Sequence, residues 1–217
     1  LPSLLRGFSA PVELNIDLGD EALEHLACSD SDPFNRWEAM QRLVTSHILE
    51  RIDRPEIARA DGITSAIEAT LNNPDLDPAF IAEALILPSE AVIGDHMKLV
   101  DVEGLFDARH GLRRDILTAL KPELMQQYEA CISKDDKGVR KLKNVLLGYL
   151  SASLGGDAEA MAFEQFKGAR NMTDESAALA CLVQFETQGA HDAVQMFYDK
   201  WKDEPLVLDK WFTIQAT

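Results

Sequence analysis

Asp32-Pro33-Phe34-Asn35-Arg36-Trp37-Glu38-Ala39-Met40-Gln41-Arg42-Leu43-Val44-Thr45-Ser46-His47-Ile48-Leu49-Glu50-Arg51-Ile52-Asp53-Arg54-Pro55 contains the start, the buried face and the end of one long helix. An aspartate ahead of a proline is a helix opening. The carboxylate accepts from N–H groups that the first turn leaves unpaired, and proline at the first helical position has no N–H to waste. Trp37, Met40, Val44, His47, Ile48 and Ile52 recur with helical spacing, which sets them on one core-facing side. Arg54-Pro55 closes the helix, because the residue before a proline is pushed out of the α region.

The same punctuation runs outward in both directions. Asp20 precedes Leu23 and Leu26; Ile63, Ile67 and Leu71 precede the turn Asn72-Asn73-Pro74; Asp77-Pro78 opens a helix with Ile81 and Leu85; Pro88-Ser89 begins another. Asp101 caps a helix bearing Leu105, Leu112, Ile116 and Leu120, and Pro122 restarts the chain into Leu124 and Tyr128. Asp135 or Asp136 opens a helix with Leu142, Leu146 and Leu150 that Gly155-Gly156 ends, since glycine accepts a left-handed cap at little cost. Asp157 leads into Met161 and Phe166, and Thr173 or Asp174 into Leu179 and Leu182. Gly189 separates the helix of Val194, Phe197 and Trp201, and Asp203 with Pro205 precedes Val207, Trp211 and Ile214. The expected fold is all-α, an irregular superhelix of about ten to twelve short helices, antiparallel to their neighbours because their connections are short. No fixed period is visible, which argues against a regular tetratricopeptide or ankyrin array.

One segment breaks the pattern. Val12, Leu14 and Ile16 alternate with period two and predict a strand, and a lone strand needs a sheet to satisfy its hydrogen bonds. Residues 1–18 are therefore expected to be the tail of a preceding β-domain or a linker, and residues 19–217 part of a helical domain. Because the sequence starts at Leu1 and stops at Thr217 within an amphipathic stretch, it reads as a fragment cut within its helical domain.

With 37 acidic against 21 basic residues, the net charge of −16 repels phosphate backbones and anionic lipid heads, so neither nucleic acid nor a membrane is an expected partner. The basic cluster Lys134, Lys137, Arg140, Lys141 and Lys143, interrupted by Asp135 and Asp136, is read as a solvated helix face. Cys28, Cys131 and Cys181 lie too far apart for a metal-binding motif and suggest no disulfide framework, so a reducing, cytoplasmic compartment is expected. No apolar run is long enough to cross a bilayer.

The search for chemistry finds no centre. A helix-borne H-E-x-x-H zinc site needs two imidazoles one turn apart, whereas His25, His47, His96, His110 and His191 are scattered and none is followed by glutamate. Asp95-His96, with Asp101 and Glu103 downstream, is the nearest approach to a metal site. In so acidic a chain that juxtaposition arises readily by chance. Neither a G-x-S-x-G elbow nor a G-x-x-x-x-G-K-[ST] loop is present, and the cysteines sit among Leu and Ala as small buried hydrophobes. Trp37, Phe197, Tyr198, Trp201 and Trp211 are spaced for packing between helices. No catalytic, cofactor-binding or metal residue is assigned.

Three blocks carry a resemblance. Pro2-Ser3-Leu4-Leu5-Arg6-Gly7-Phe8-Ser9-Ala10-Pro11-Val12, followed by Phe34-Asn35-Arg36-Trp37-Glu38-Ala39, resembles the junction between the small β-sandwich and the helical domain of the bacterial aminopeptidase N family. Asn171-Met172-Thr173-Asp174, and Leu208-Asp209-Lys210-Trp211-Phe212 with Gln215-Ala216-Thr217, are similar to later segments of the same domain in the same order. The resemblance implies a parent zinc metalloaminopeptidase, a hydrolase that removes N-terminal amino acids from peptides with a zinc held by two histidines and a glutamate. It implies that this stretch walls the substrate cavity beside the parent's own catalytic and β-sandwich domains. It also implies that the zinc ligands, the glutamate that holds the substrate's free amine and the tyrosine that supports the tetrahedral intermediate all lie elsewhere, so that this chain is inactive alone. The acidic surface would then favour entry of cationic peptides. The competing reading is a stand-alone helical-repeat scaffold that binds a protein partner on its concave face.

Overall fold

In the computed structural model every residue is described except 1–2, 5, 9–15, 17, 57–59, 135, 154, 186 and 217. Among the described residues, eleven α-helices succeed one another and no strand is present: α1 (Asp20–Ser29), α2 (Pro33–Asp53), α3 (Asp61–Leu71), α4 (Pro78–Leu85), α5 (Glu90–Gly94), α6 (Val102–Ile132), α7 (Lys137–Leu150), α8 (Gly156–Gly168), α9 (Met172–Leu182), α10 (Gln188–Trp201) and α11 (Pro205–Ala216). The all-α superhelix expected from the sequence is what forms. Of the predicted strand, Val12 and Leu14 lie outside the described residues. Ile16 is in no regular element, and its carbonyl accepts from an Arg42 guanidinium N–H at 2.9 Å.

Side-chain caps start most of the helices. Asp32 accepts from the N–H groups of Phe34 (3.0 Å) and Asn35 (3.1 Å), and the same carboxylate takes the Gly7 N–H at 3.2 Å, tying the short 3₁₀ turn at Arg6–Phe8 to α2. Asp77, Ser89, Asp101 and Asp136 cap α4 to α7 in the same way. Each supplies an oxygen to an N–H that the first turn cannot pair.

Three boundaries differ from the sequence reading. Gly155-Gly156 does not end α7, which stops at Leu150; Gly155 (φ −105°) instead stands at the start of α8, whereas at Pro122 the reading holds, since α6 is two helical runs that meet at a kink at Leu120 (φ −122°, ψ 20°). The cap of α9 is Asn171, which accepts the Asp174 N–H at 2.9 Å, and not Thr173 or Asp174. Gly189 lies inside α10, which Thr187 caps through the Ala190 N–H at 3.1 Å.

One core runs through α1 to α10. Its fully buried centre includes Leu112, Ile116 and Leu124 of α6, Leu146 and Leu147 of α7, Leu179 and Leu182 of α9 and Phe197 of α10. The buried face of α2 is turned from the one expected. Arg36, Ala39, Met40, Leu43, Val44 and Ile48 are inside, while Trp37 and His47 sit at its edge. Arg36 is a charge in an apolar interior, and its Nη2 donates to Thr70 Oγ1 of α3 at 3.3 Å. No residue of α11 is fully buried. That helix docks through Trp211, whose indole N–H donates to the Val194 carbonyl at 3.0 Å, while its ring meets Tyr198 with centroids 5.1 Å apart.

Candidate functional site

The residues singled out in the sequence do not converge. Among the described residues no group of three His, Cys, Asp or Glu is placed to hold a metal ion. Asp95 and His96 are exposed after α5, and Asp101 is occupied as the cap of α6, accepting the Gly104 N–H at 3.0 Å. Burial pushes the thiols of Cys28, Cys131 and Cys181 up from their ordinary value, so they stay protonated at neutral pH. Phe197 is in the core, and Trp201 turns its indole N–H to the Glu175 carboxylate at 3.2 Å.

The basic cluster is only in part the solvated face expected, with Lys134 and Lys137 exposed. Lys143 is largely buried and donates to Asp174 Oδ2 at 2.7 Å, and Lys141 pairs with Glu83. Asp174 is the hub of a network joining four helices. It also accepts from Asn144 Nδ2 of α7 and from Asn171 Nδ2, each at 3.0 Å. Gln165 of α8 donates to Asn144 Oδ1 at 2.8 Å and accepts the Tyr128 hydroxyl of α6 at 3.0 Å. Burial acts to raise the Asp174 pKa, but the hydrogen bonds from Lys143, Asn171 and Asn144, with the Lys143 charge, outweigh it and hold the carboxyl below its ordinary value. Beside it, Glu175 takes both oxygens to Lys200 of α10, at 2.8 and 2.9 Å. The block beginning Asn171 is thus a polar staple between helices.

Two long grooves remain. One of about 910 Å³ runs between α2, α4 and α5 past Trp37, Gln41, Arg42 and Ile86. The other, of about 990 Å³, lies between α5, α6, α9 and α11, and α6 lines it with Phe106, Arg109, His110, Arg113 and Arg114. The second basic block was passed over in the sequence because Gly111 and Leu112 split it. Its signal is the spacing: 109 with 113 and 110 with 114 are each one helical turn apart, so the four stack on adjoining lines of one helix.

Arg109 is fixed by its Nε donating to the Pro88 carbonyl at 2.9 Å, and the Arg113 guanidinium lies over the Tyr149 ring, 6.0 Å from its centroid. Glu90 and Asp107 also line the groove, but among the described residues no carboxylate is within ion-pair distance of Arg109, Arg113 or Arg114. His110 lies against Phe106, with the ring centroids 4.0 Å apart and the planes tilted by 35°. Burial, then the charges of Arg113 and Arg109, push its pKa down and leave a neutral ring in a field of guanidinium charge. The formal charge of this lining, three arginines against Glu90 and Asp107, is opposite in sign to the net charge of the chain.

Comparison with known proteins gives the lineage. A family model described as a domain of unknown function, DUF3458_C, with ARM repeats matches residues 20–217. The chain belongs to that family. The helical ARM-like architecture fits helices whose lengths are too unequal to show a fixed period. The chain is homologous to aminopeptidase N of Escherichia coli (strain K12), 32% identical over 227 residues, and to aminopeptidase N of Caulobacter vibrioides, 36% identical over 222 residues. The alignments take in 100% and 99% of this chain and 26% of each relative, so the chain spans about a quarter of the length of the curated relatives it matches. Among solved structures, a crystal structure of Legionella pneumophila aminopeptidase A in complex with aspartic acid superposes with a TM-score of 0.85 at 27% identity, over 98% of this chain and 27% of that one.

Proposed function

We propose that this chain is a non-catalytic helical part of a zinc-dependent aminopeptidase that removes N-terminal amino acids from peptides, and that it walls the cavity through which peptides reach the metal. The observation that carries the reading is end-to-end homology to one quarter of aminopeptidase N, in a stretch whose described histidines and carboxylates form no metal-binding group. The described residues do not fit a zinc ion. The metal and its chemistry are therefore assigned to the catalytic part of such an enzyme, with that part and its β-sandwich as the surfaces this domain meets. Among the described residues no helix is long and apolar enough to cross a membrane, and three free, protonated thiols suit a reducing, cytoplasmic setting.

The wall role is tested by replacing the matching stretch of the Escherichia coli enzyme with this chain. Turnover of alanyl and leucyl amides is expected to stay within about threefold. The ratio of kcat/KM between a dipeptide and a longer peptide is expected to shift about tenfold, since only access changes. An active chimera with an unaltered ratio would remove the wall role.

A further inference from the structure

The arginine groove has a shape, a charge and a chemical deficit that together specify an occupant. Three guanidinium groups on one helix repel one another, and in a protein of net charge −16 counter-charges are abundant. Elsewhere the fold uses them: Arg51 pairs with Asp115, Lys143 with Asp174, and Lys200 with Glu175. Along the groove no described carboxylate reaches Arg109, Arg113 or Arg114, although Glu90 and Asp107 stand on its walls. Arg109 is half-buried and held by the Pro88 carbonyl, while Arg113 is half-buried against Tyr149 and Arg114 is exposed. The Tyr149 ring is itself locked by its hydroxyl donating to the Leu85 carbonyl at 2.6 Å, so the support under Arg113 is rigid.

We infer that this groove binds the carboxylates of an acidic peptide segment, with Arg113 and Arg114 making the contacts and Arg109 held behind them. A guanidinium presents a planar fork of donors that matches a carboxylate with two parallel hydrogen bonds, and two adjacent forks along one groove match neighbouring acidic side chains. A volume of about 990 Å³ is that of a site for several residues and not for one small ion. The apolar contributions of Phe106, Val183 and Ile214 would be unused by a free phosphate but can cover the stems of glutamate side chains. The choice of a peptide over other anions rests on the aminopeptidase reading, but the binding itself needs no turnover. Failure of binding and failure of that reading are therefore distinguishable.

The test is fluorescence anisotropy of the 217-residue chain with a fluorescein-labelled oligoglutamate peptide, its oligoglutamine counterpart, and inorganic phosphate as competitor. Saturable binding of the glutamate peptide is expected. The glutamine peptide should bind at least about tenfold more weakly, and Arg113→Gln and Arg114→Gln should each lose about tenfold. Arg113→Lys, which keeps the charge but not the fork, should fall between. The exposed Lys134→Gln/Lys137→Gln pair serves as the control and should bind like the parent chain. Equal binding of the two peptides, or arginine variants that bind as the parent does while circular dichroism shows an intact fold, would overturn the inference. So would complete displacement by phosphate at equal concentration, which would make the groove a general anion site.

Discussion

Asp174→Ala is expected to destabilise the chain by about 3–5 kcal/mol, because removing one partner of a buried ion pair strands the other. At roughly 2–4 °C per kcal/mol for a chain of this size, the loss should appear as a fall of about 6–20 °C in Tm. Lys143 would keep its charge in a largely buried place, and Asn144 and Asn171 would each lose an acceptor now 3.0 Å away. The damage spreads to Gln165 and Tyr128 through the shared bonds, so α6, α7, α8 and α9 loosen together. Asp174→Asn keeps the shape and one acceptor oxygen but not the charge, and should lose less. The pH dependence has a definite sign. The folded-state pKa of Asp174 is lowered, so its contribution is fully present above the unfolded value of about 3.9 and is lost as pH falls below it through the folded value. Thermal melts should therefore show the gap between the parent chain and Asp174→Ala narrowing below about pH 4. A gap that stays constant on acidification would show that the carboxylate charge does not carry the staple.

Leu146→Ala should cost about 2–5 kcal/mol, the transfer free energy of the deleted atoms plus the cavity they leave. Leu146 is 0% exposed at the middle of α7, the helix packed against α4, α6 and α9. Neighbours on three sides restrict collapse into the void, which places the expected cost in the upper part of that range. Leu206 of α11 is 80% exposed, and Leu206→Ala should stay within about 0.5 kcal/mol of the parent. Urea titrations of the two variants side by side test this, with the midpoint moving in one and not in the other. Equal shifts would mean that α7 is not the centre of the core.

Most of the helical architecture was legible because helix openings are local chemistry. Asp32-Pro33, Asp77-Pro78, Ser89 and Asp101 announce themselves, and each caps the helix that follows it. What was not legible depends on the third dimension. Gly155-Gly156 looks like a stop, yet α7 has already ended at Leu150 and Gly155 stands at the start of α8. Asp174 looks like a cap, but Asn171 takes that role and frees the carboxylate for Lys143. Arg36 reads as polar and is buried, because Thr70 sits where its guanidinium ends. Of the two basic blocks, one was only partly read correctly and the other was not singled out. Lys141 and Lys143 have carboxylates waiting on α4 and α9, which no spacing within α7 reveals, whereas among the described residues Arg109, Arg113 and Arg114 have none within ion-pair distance. Which charges find partners is decided between helices and not along them.

The measurement that tests the central claim most directly is aminopeptidase turnover of alanyl and leucyl amides by the 217-residue chain, with bound zinc determined on the same sample. The account predicts a folded, helical protein with no turnover and no stoichiometric zinc. Turnover that tracks bound zinc through repurification would contradict it, and would place a metal centre in this chain where its described histidines and carboxylates form no group.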